Sequence, residues 1–510
     1  MRFPLYLAAA SALLLADPNC ESLAQAKLNR ASIASAAAAG DVCVVRVVAR
    51  PTKDSEINLE VRLPDPAKWN GRYQQFGNGG WAGAINTATL KAASAKGYAA
   101  AATDDGHASG AGDAAWAVGH PEKLIDFGHR AVHVTSVHAK ALIAAYYGKS
   151  ASRHYFLGCS DGGREALMEA QRYPEDFDGI LAGAPASDWS HLFTGFIWNE
   201  QALMKDPASF IPAAKLPAIQ KAVVASCDST DGVKDGLIED PRRCAFEPKT
   251  LLCGTADTND CLTRPQVEAL TRIYAGPKNP RTGKQIYPGF PPGTEAINGG
   301  WAPWIIGNPP ERSLQFAFGN SYYGQAVFED PNWNFRSLEF DADVDYGDRK
   351  AGIHLNSNNP DLRSFRAHGG RLIQYHGWGD AAIPATGSIE YYEAVNEFFR
   401  RYPDGRAAAV TGKVADFYRL FLVPGMGHCA GGLGANRFGQ GDNAPADPER
   451  NIVAALEQWV EKGVAPEKMI ATGADKGFSR PLCPYPQQAR YNGSGNPNDA
   501  SSFVCAAPAR

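Results

Sequence analysis

The sequence predicts an α/β fold: a mostly parallel sheet covered by helices on both faces and broken by one long insertion. Three observations carry that reading. Short apolar runs alternate with helix-spaced segments up to about residue 187, and again after about 361. Between them the chain is rich in Pro, Gly, Trp and short cysteine loops, and the alternation fades. The apolar run Tyr155-Phe156-Leu157 enters Gly158-Cys159-Ser160-Asp161-Gly162, and a helix-like segment from Glu165 to Tyr173 follows, stopped by Pro174.

From the N-terminus, Met1-Arg2 precedes a mostly apolar stretch from Phe3 to Ala16. A positive start and a short apolar run suit a secretory signal peptide and are too short for a membrane span. Cleavage after Ala16 (residues 1–16 removed) competes with cleavage after Ala24-Gln25-Ala26, which would discard Cys20. No later run is long and apolar enough to cross a bilayer, so a secreted or periplasmic protein with no membrane partner is expected. A formal net charge of −4 points away from nucleic acid.

Ile57, Leu59, Val61 and Leu63 alternate with polar residues, a half-buried strand ended by Pro64. Arg72 to Phe76 reads as a second strand running into Gly77-Asn78-Gly79-Gly80. Tyr98 to Thr103 is a third, made of small residues. Gly128 to Tyr147 has helical spacing and ends at Gly148. Gly179 to Ala184 is an apolar strand closed by Pro185. After the insertion, Arg371 to Tyr375 and Phe417 to Val423 are strands, and a helix carrying Ile452, Leu456, Trp459 and Val460 is capped by Gly463. The expected organisation is a discontinuous core, residues 17–186 and 362–510, with a lid at 187–361.

Strand, tight turn, helix is the order that a nucleophile elbow requires, so the core is expected to be that of an α/β-hydrolase with Ser160 as nucleophile. In such chains the acid and then the base follow on loops after late strands. Arg371 to Tyr375 leads into His376-Gly377-Trp378-Gly379-Asp380, and Phe417 to Val423 into Gly425-Met426-Gly427-His428-Cys429. Asp380 and His428 therefore stand where an orienting acid and a general base are needed. For the oxyanion, the backbone N–H of Asp161 and one from Gly80 or Gly79 are the candidates.

The ten cysteines are even in number, which in an exported chain reads as disulfides. If sequence neighbours pair, one long-range couple is left, Cys159 with Cys429, flanking Ser160 and His428. A thiol nucleophile at Cys159, or a metal held by Cys159, His428 and Cys429, are the minor alternatives. Asp228, Asp231 and Asp235, with the carbonyls of Val233 and Leu237, offer the all-oxygen shell that Ca²⁺ prefers. Solvated Asp-Gly turns are the plain alternative. His129 and His133 at i, i+4 lack a third ligand in sequence and read as packing residues. Trp301, Trp304, Phe318, Tyr322, Tyr323 and Trp333 give the insertion an aromatic stock from which an acyl pocket could be lined.

These stretches, with Cys20-Glu21-Ser22-Leu23, Trp69-Asn70-Gly71-Arg72 and Arg480-Pro481-Leu482-Cys483-Pro484-Tyr485-Pro486, resemble the tannase and feruloyl esterase family of α/β-hydrolases, which includes mono(2-hydroxyethyl) terephthalate hydrolases. The Cys-Ser and His-Cys dipeptides are its specific signature. The resemblance implies a Ser160–Asp380–His428 triad, a calcium ion held in the lid by the Asp-rich loop, and signal cleavage near Ala16. It implies the bridges Cys159–Cys429, Cys20–Cys43, Cys227–Cys244, Cys253–Cys261 and Cys483–Cys505. Substrates would be esters of aromatic acids, small or linked to plant polymers. His376 matches a pocket histidine of the family, which either touches the substrate or packs beside the acid, and Trp304 and Tyr322 are the aromatic candidates for substrate contact. The terephthalate branch carries a lid arginine that holds the free carboxylate. The matching stretch here, about Phe316 to Phe328, has no arginine, and Arg312 is out of register. A feruloyl esterase or tannase is therefore the leading expectation, ahead of a terephthalate monoesterase. A non-catalytic phenolic- or carbohydrate-binding protein is the reading from another class.

Overall fold

A computed structural model describes residues 19–402, 413–441, 445–474 and 477–508. The expected signal segment, residues 1–16, lies outside the described residues. Nine strands form one sheet: β1 (Ala31–Ala39), β2 (Val42–Ala49), β3 (Ile57–Pro64), β4 (Arg72–Phe76), β5 (Ala99–Thr103), β6 (Arg153–Cys159), β7 (Gly179–Gly183), β8 (Arg371–Gly377) and β9 (Tyr418–Val423). Their order is β1-β2-β3-β5-β4-β6-β7-β8-β9. From β5 to β9 every neighbouring pair is parallel. The other side is antiparallel, β1 to β2, β2 to β3 and β3 to β5.

The sheet is thus more mixed than the sequence suggested. β1 is mostly alanine and lies half-exposed at the edge, with almost no large side chain to set a period. β2 is a nearly continuous valine run without alternation. By contrast β5 and β7 are buried on both faces and built from Ala, Gly, Ile, Leu and Thr, as strands flanked by helices on both sides must be. The helix expected from Gly128 begins at Ala131, because a π-turn over Asp126–Arg130 precedes it, and it ends on Gly148 in the left-handed conformation.

The insertion enters after β7 and returns at β8. It carries the helices Trp189–Leu203, Leu216–Cys227, Arg264–Ala275 and Leu314–Asn320. Its core of Trp189, Phe193, Phe196, Ile273 and Trp301 is continuous with Trp81, Phe127 and Ile383 of the sheet's loops. Those loops follow β4, β5 and β8, so the lid rests on the carboxyl edge of the sheet, where ligands of open α/β sheets bind. Each fully buried aromatic in that seam contributes about 2–3 kcal/mol of burial free energy. All ten cysteines are paired, Cys20–Cys43, Cys159–Cys429, Cys227–Cys244, Cys253–Cys261 and Cys483–Cys505. Among the described residues, no helix is long and apolar enough to cross a membrane.

Candidate active site

Ser160 sits between β6 and the helix Asp161–Arg172 with φ 66° and ψ −122°, a conformation rare for a side-chain-bearing residue. Its neighbours impose it. The Ser160 N–H donates to Gly183 O at 3.0 Å, and the Ser160 carbonyl accepts from Arg164 and Ala186, each at 3.1 Å. The turn is so tight that a Cβ on Gly158 would stand 2.1 Å from the carbonyl oxygen of Gly162. Only glycine fits there, and the serine hydroxyl is pushed out at the carboxyl edge of the sheet.

The Ser160 hydroxyl oxygen lies 2.9 Å from His428 Nε2, and His428 Nδ1 lies 2.8 Å from Asp380 Oδ2. The other carboxylate oxygen of Asp380 accepts the N–H groups of Ala382 (2.8 Å) and Ile383 (2.9 Å). Burial alone would raise the pKa of Asp380. The imidazole of His428 and the proximity of His376 outweigh it, and hold the carboxyl well below the usual carboxylate range. An ionised Asp380 accepts a hydrogen bond from the Nδ1–H of His428, which leaves Nε2 free to accept from the serine. Asn78 O accepts the Gly162 N–H at 2.8 Å, which ties the glycine loop after β4 to the elbow. Among the described residues the N–H groups of Gly80 and Asp161 have no acceptor. At Gly80 (φ 59°) a Cβ would stand 2.6 Å from the Ala111 carbonyl oxygen and 3.0 Å from the Phe318 ring.

The family model for "Tannase and feruloyl esterase" matches residues 43–506. The chain belongs to the tannase and feruloyl esterase family. It is 42% identical over 484 residues to an uncharacterized esterase of Xanthomonas campestris, covering 91% of this chain and 84% of that one. It is 34% identical over 548 residues to a mono(2-hydroxyethyl) terephthalate hydrolase of Piscinibacter sakaiensis, covering 93% and 86%. The structure of feruloyl esterase B from Aspergillus oryzae superimposes with a TM-score of 0.85 at 29% identity, covering 96% of this chain and 99% of that one. This member of the family is a feruloyl esterase- or tannase-like carboxylic ester hydrolase.

Of the three candidates for substrate contact, the esterase places one beside the reacting groups. The Trp304 ring stands edge-on to His428, centroids 5.3 Å apart, and lies parallel to Phe318. Tyr322 is fully buried against Phe193 and Tyr323 and cannot reach a ligand without unpacking the lid. His376 is also fully buried. Its Nδ1 meets Ser388 Oγ (2.7 Å), its Nε2 meets Ile383 O (2.9 Å), and it stands behind Asp380 rather than before it. For His376 this is the second of the two expected readings, packing beside the acid; for Tyr322 an aromatic in the insertion was the only sequence signal, and burial was invisible.

In the Asp-rich loop, Asp228 Oδ1 accepts the N–H groups of Asp235 (3.1 Å) and Gly236 (3.0 Å), and Asp235 Oδ2 pairs with Arg480 at 2.5 Å. Asp231, Asp235, Leu237 and Glu239 line one small cavity with Arg480. Burial and the charges of Asp235 and Asp228 push the Asp231 carboxyl up to about 6. Among the described residues the carbonyls of Val233 and Leu237 accept no hydrogen bond. His129 meets the Tyr173 hydroxyl at 2.7 Å, and His133 meets Asp176 at 2.6 Å, a carboxylate already bonded by Lys140.

The esterase also uses residues that sequence reasoning missed. Asp161, Arg164, Glu165 and Glu169 form a charged face of the elbow helix, and all four are buried. Arg164 donates to Asp161 Oδ1 and to the carbonyls of Phe127 and Gly128, locking the elbow to the π-turn. A charged helical face normally reads as solvated, so its spacing gave the opposite signal.

Proposed function

We propose that this protein is a secreted serine esterase that cleaves esters of aromatic acids, hydroxycinnamic or gallic, through an acyl-enzyme. The observation that carries the reading is the continuous line from Ser160 Oγ through His428 to Asp380, with separations of 2.9 and 2.8 Å. Ser160 attacks the ester carbonyl while His428 Nε2 takes its proton. The oxyanion faces the N–H groups of Asp161 and Gly80. Collapse expels the alcohol, protonated by His428, and a water activated by the same nitrogen releases the acid. Asp380 orients the imidazole and stabilises the imidazolium each time it forms.

Trp304 beside His428, with Phe318 parallel to it, supports an aromatic acyl group. The stretch from Phe316 to Phe328 offers no cation to a second carboxylate, which favours a neutral acyl ring over a terephthalate monoester. Five disulfides support an oxidising compartment. A calcium ion at the Asp-rich loop would draw on the hard oxygens of Asp228, Asp231 and Asp235 with the carbonyls of Val233 and Leu237. Binding it would require Asp228 Oδ1 and Asp235 Oδ2 to turn from their present donors, the Asp235 and Gly236 N–H groups and Arg480. Its role would be to brace the lid, at a distance from the chemistry.

Turnover of methyl ferulate, methyl gallate and the terephthalate monoester, with Ser160→Ala as control, tests the reading. The first two should be hydrolysed at least about tenfold more efficiently than the third, the size of one charge contact. Preference for the terephthalate monoester would overturn the assignment, and activity surviving Ser160→Ala would overturn the mechanism.

A further inference from the structure

Behind the oxyanion loop the charges do not balance. The carboxyl groups of Asp105, Asp161 and Glu165 each bring an oxygen within 4.8 Å of the others, and all three side chains are fully buried. Arg164 neutralises one of them, donating to Asp161 Oδ1 at 2.5 Å. Among the described residues, Asp105 and Glu165 form no ion pair of their own. Their outer oxygens hold one residue, Asn78: Glu165 Oε2 accepts its N–H at 3.0 Å, and Asp105 Oδ2 accepts from its side-chain amide at 2.5 Å. Asn78 lies two residues before Gly80. Among the described residues, the inner oxygens, Asp105 Oδ1, Glu165 Oε1 and Asp161 Oδ2, are buried without a hydrogen-bond donor.

Two ionised carboxylates facing each other away from water are strongly disfavoured, and a single proton between them removes one charge and supplies one orphan oxygen with a donor. We propose that Asp105 and Glu165 share one proton as a neutral acid–carboxylate pair, and that this pair is a positioning device which sets the oxyanion loop through Asn78. The inference rests on the serine esterase reading. Burial and then the Asp161 charge push the Glu165 carboxyl upward, and burial and then Glu165 do the same to Asp105. Among the described residues, the other charged groups facing the pair include Asp104, Glu169 and the cation Arg164. When the shared proton leaves at alkaline pH, a second negative charge appears behind the N–H groups meant for an oxyanion. The expected consequence is a fall in kcat with KM little changed.

The test is the pH profile of kcat and KM for an activated aryl ester in wild type, Glu165→Gln and Glu165→Ala. Glutamine presents an acceptor to the Asn78 N–H and a donor to Asp105, and it cannot ionise. Glu165→Gln should keep most of the wild-type kcat at pH 7 and lose the alkaline decline. Glu165→Ala should lose about 10- to 100-fold in kcat, less than deleting an oxyanion donor outright. If Glu165→Gln does not fold, Asp105→Asn, whose amide can donate to an ionised Glu165, should lose the alkaline decline in the same way. The proposal is overturned if the glutamine variant is as impaired at pH 7 as the alanine one. It is also overturned if the alkaline limb is unchanged in the amide variants, or if wild type retains a metal ion that Glu165→Gln loses. Ser160→Ala, assayed alongside, separates failure of the serine mechanism from failure of the proton assignment.

Discussion

Cys159 and Cys429 are joined directly, their Cα atoms 6.0 Å apart, although 270 residues separate them. One precedes Ser160 and the other follows His428. The two loops leave β6 and β9, which have β7 and β8 between them. Sheet pairing alone therefore does not fix the distance between nucleophile and base. Replacing both cysteines by alanine should lower stability by about 2–5 kcal/mol, since the bridge closes a very long loop of the unfolded chain. It should also cut kcat by about tenfold or more through misplacement of the base. Chemical denaturation and steady-state kinetics on the double variant check both. An unchanged kcat would assign the bridge to stability alone.

Asp380→Asn keeps the shape of the acid and can still accept from Ala382 and Ile383. It removes the charge that stabilises the imidazolium and exposes His428 Nδ1 to an amide of either polarity. The expected loss in kcat is on the order of 10³- to 10⁴-fold with little change in melting temperature. A loss below tenfold would mean that another group orients His428.

Trp304→Ala tests the acyl pocket. The ring touches His428 by its edge and Phe318 by its face, so truncation removes a wall of the site while leaving the Ser160–His428–Asp380 contacts intact. KM for an aromatic ester should rise about tenfold, with a smaller change for an acetyl ester. Equal losses on both substrates would place Trp304 with the catalytic machinery instead.

What was legible in the sequence was local and steric. Gly158 and Gly162 around Ser160 announce a turn in which no side chain fits, and Asp380 and His428 follow strands whose apolar runs are short and well bounded. The edge strand β1 gave nothing to read, because alanine suits a helix or a strand equally and the period is absent. Whether His376 and Tyr322 meet a ligand was not legible for another reason. A motif places a residue in sequence beside the site, whereas burial decides whether it faces the ligand or supports what does. The charged face of Asp161, Arg164, Glu165 and Glu169 inverted the usual inference, since its partners come from residues 78, 105 and 127–128, far away in the chain.

If the Asp-rich loop holds calcium as proposed, its removal should act on the lid rather than on the chemistry. Chelation, or Asp231→Ala, is expected to lower the melting temperature by several degrees, while kcat near 25 °C stays within about twofold. Calorimetry with and without chelator, and restoration by added Ca²⁺, check it. Stability insensitive to chelator in a preparation shown to contain the ion would rule out the bracing role.

His191 offers a test of the lid's electrostatics whose sign is fixed in advance. Both of its ring nitrogens face carboxylates, Nδ1 toward Asp188 at 2.9 Å and Nε2 toward Asp348 at 3.0 Å. A neutral imidazole would present a lone pair to one of them, so the geometry selects the doubly protonated ring. Burial opposes that charge, but the two acids outweigh it and raise the pKa to about 10. A pKa raised in the folded state stabilises fully below the unfolded value, about 6.5, and the contribution declines as pH climbs toward the folded one. The melting temperature of wild type should therefore exceed that of His191→Gln most clearly near pH 6. The gap should narrow steadily and close near pH 10. Thermal denaturation of the two proteins across that range decides it, and a gap that widens with pH would show that the ring is neutral and held by packing.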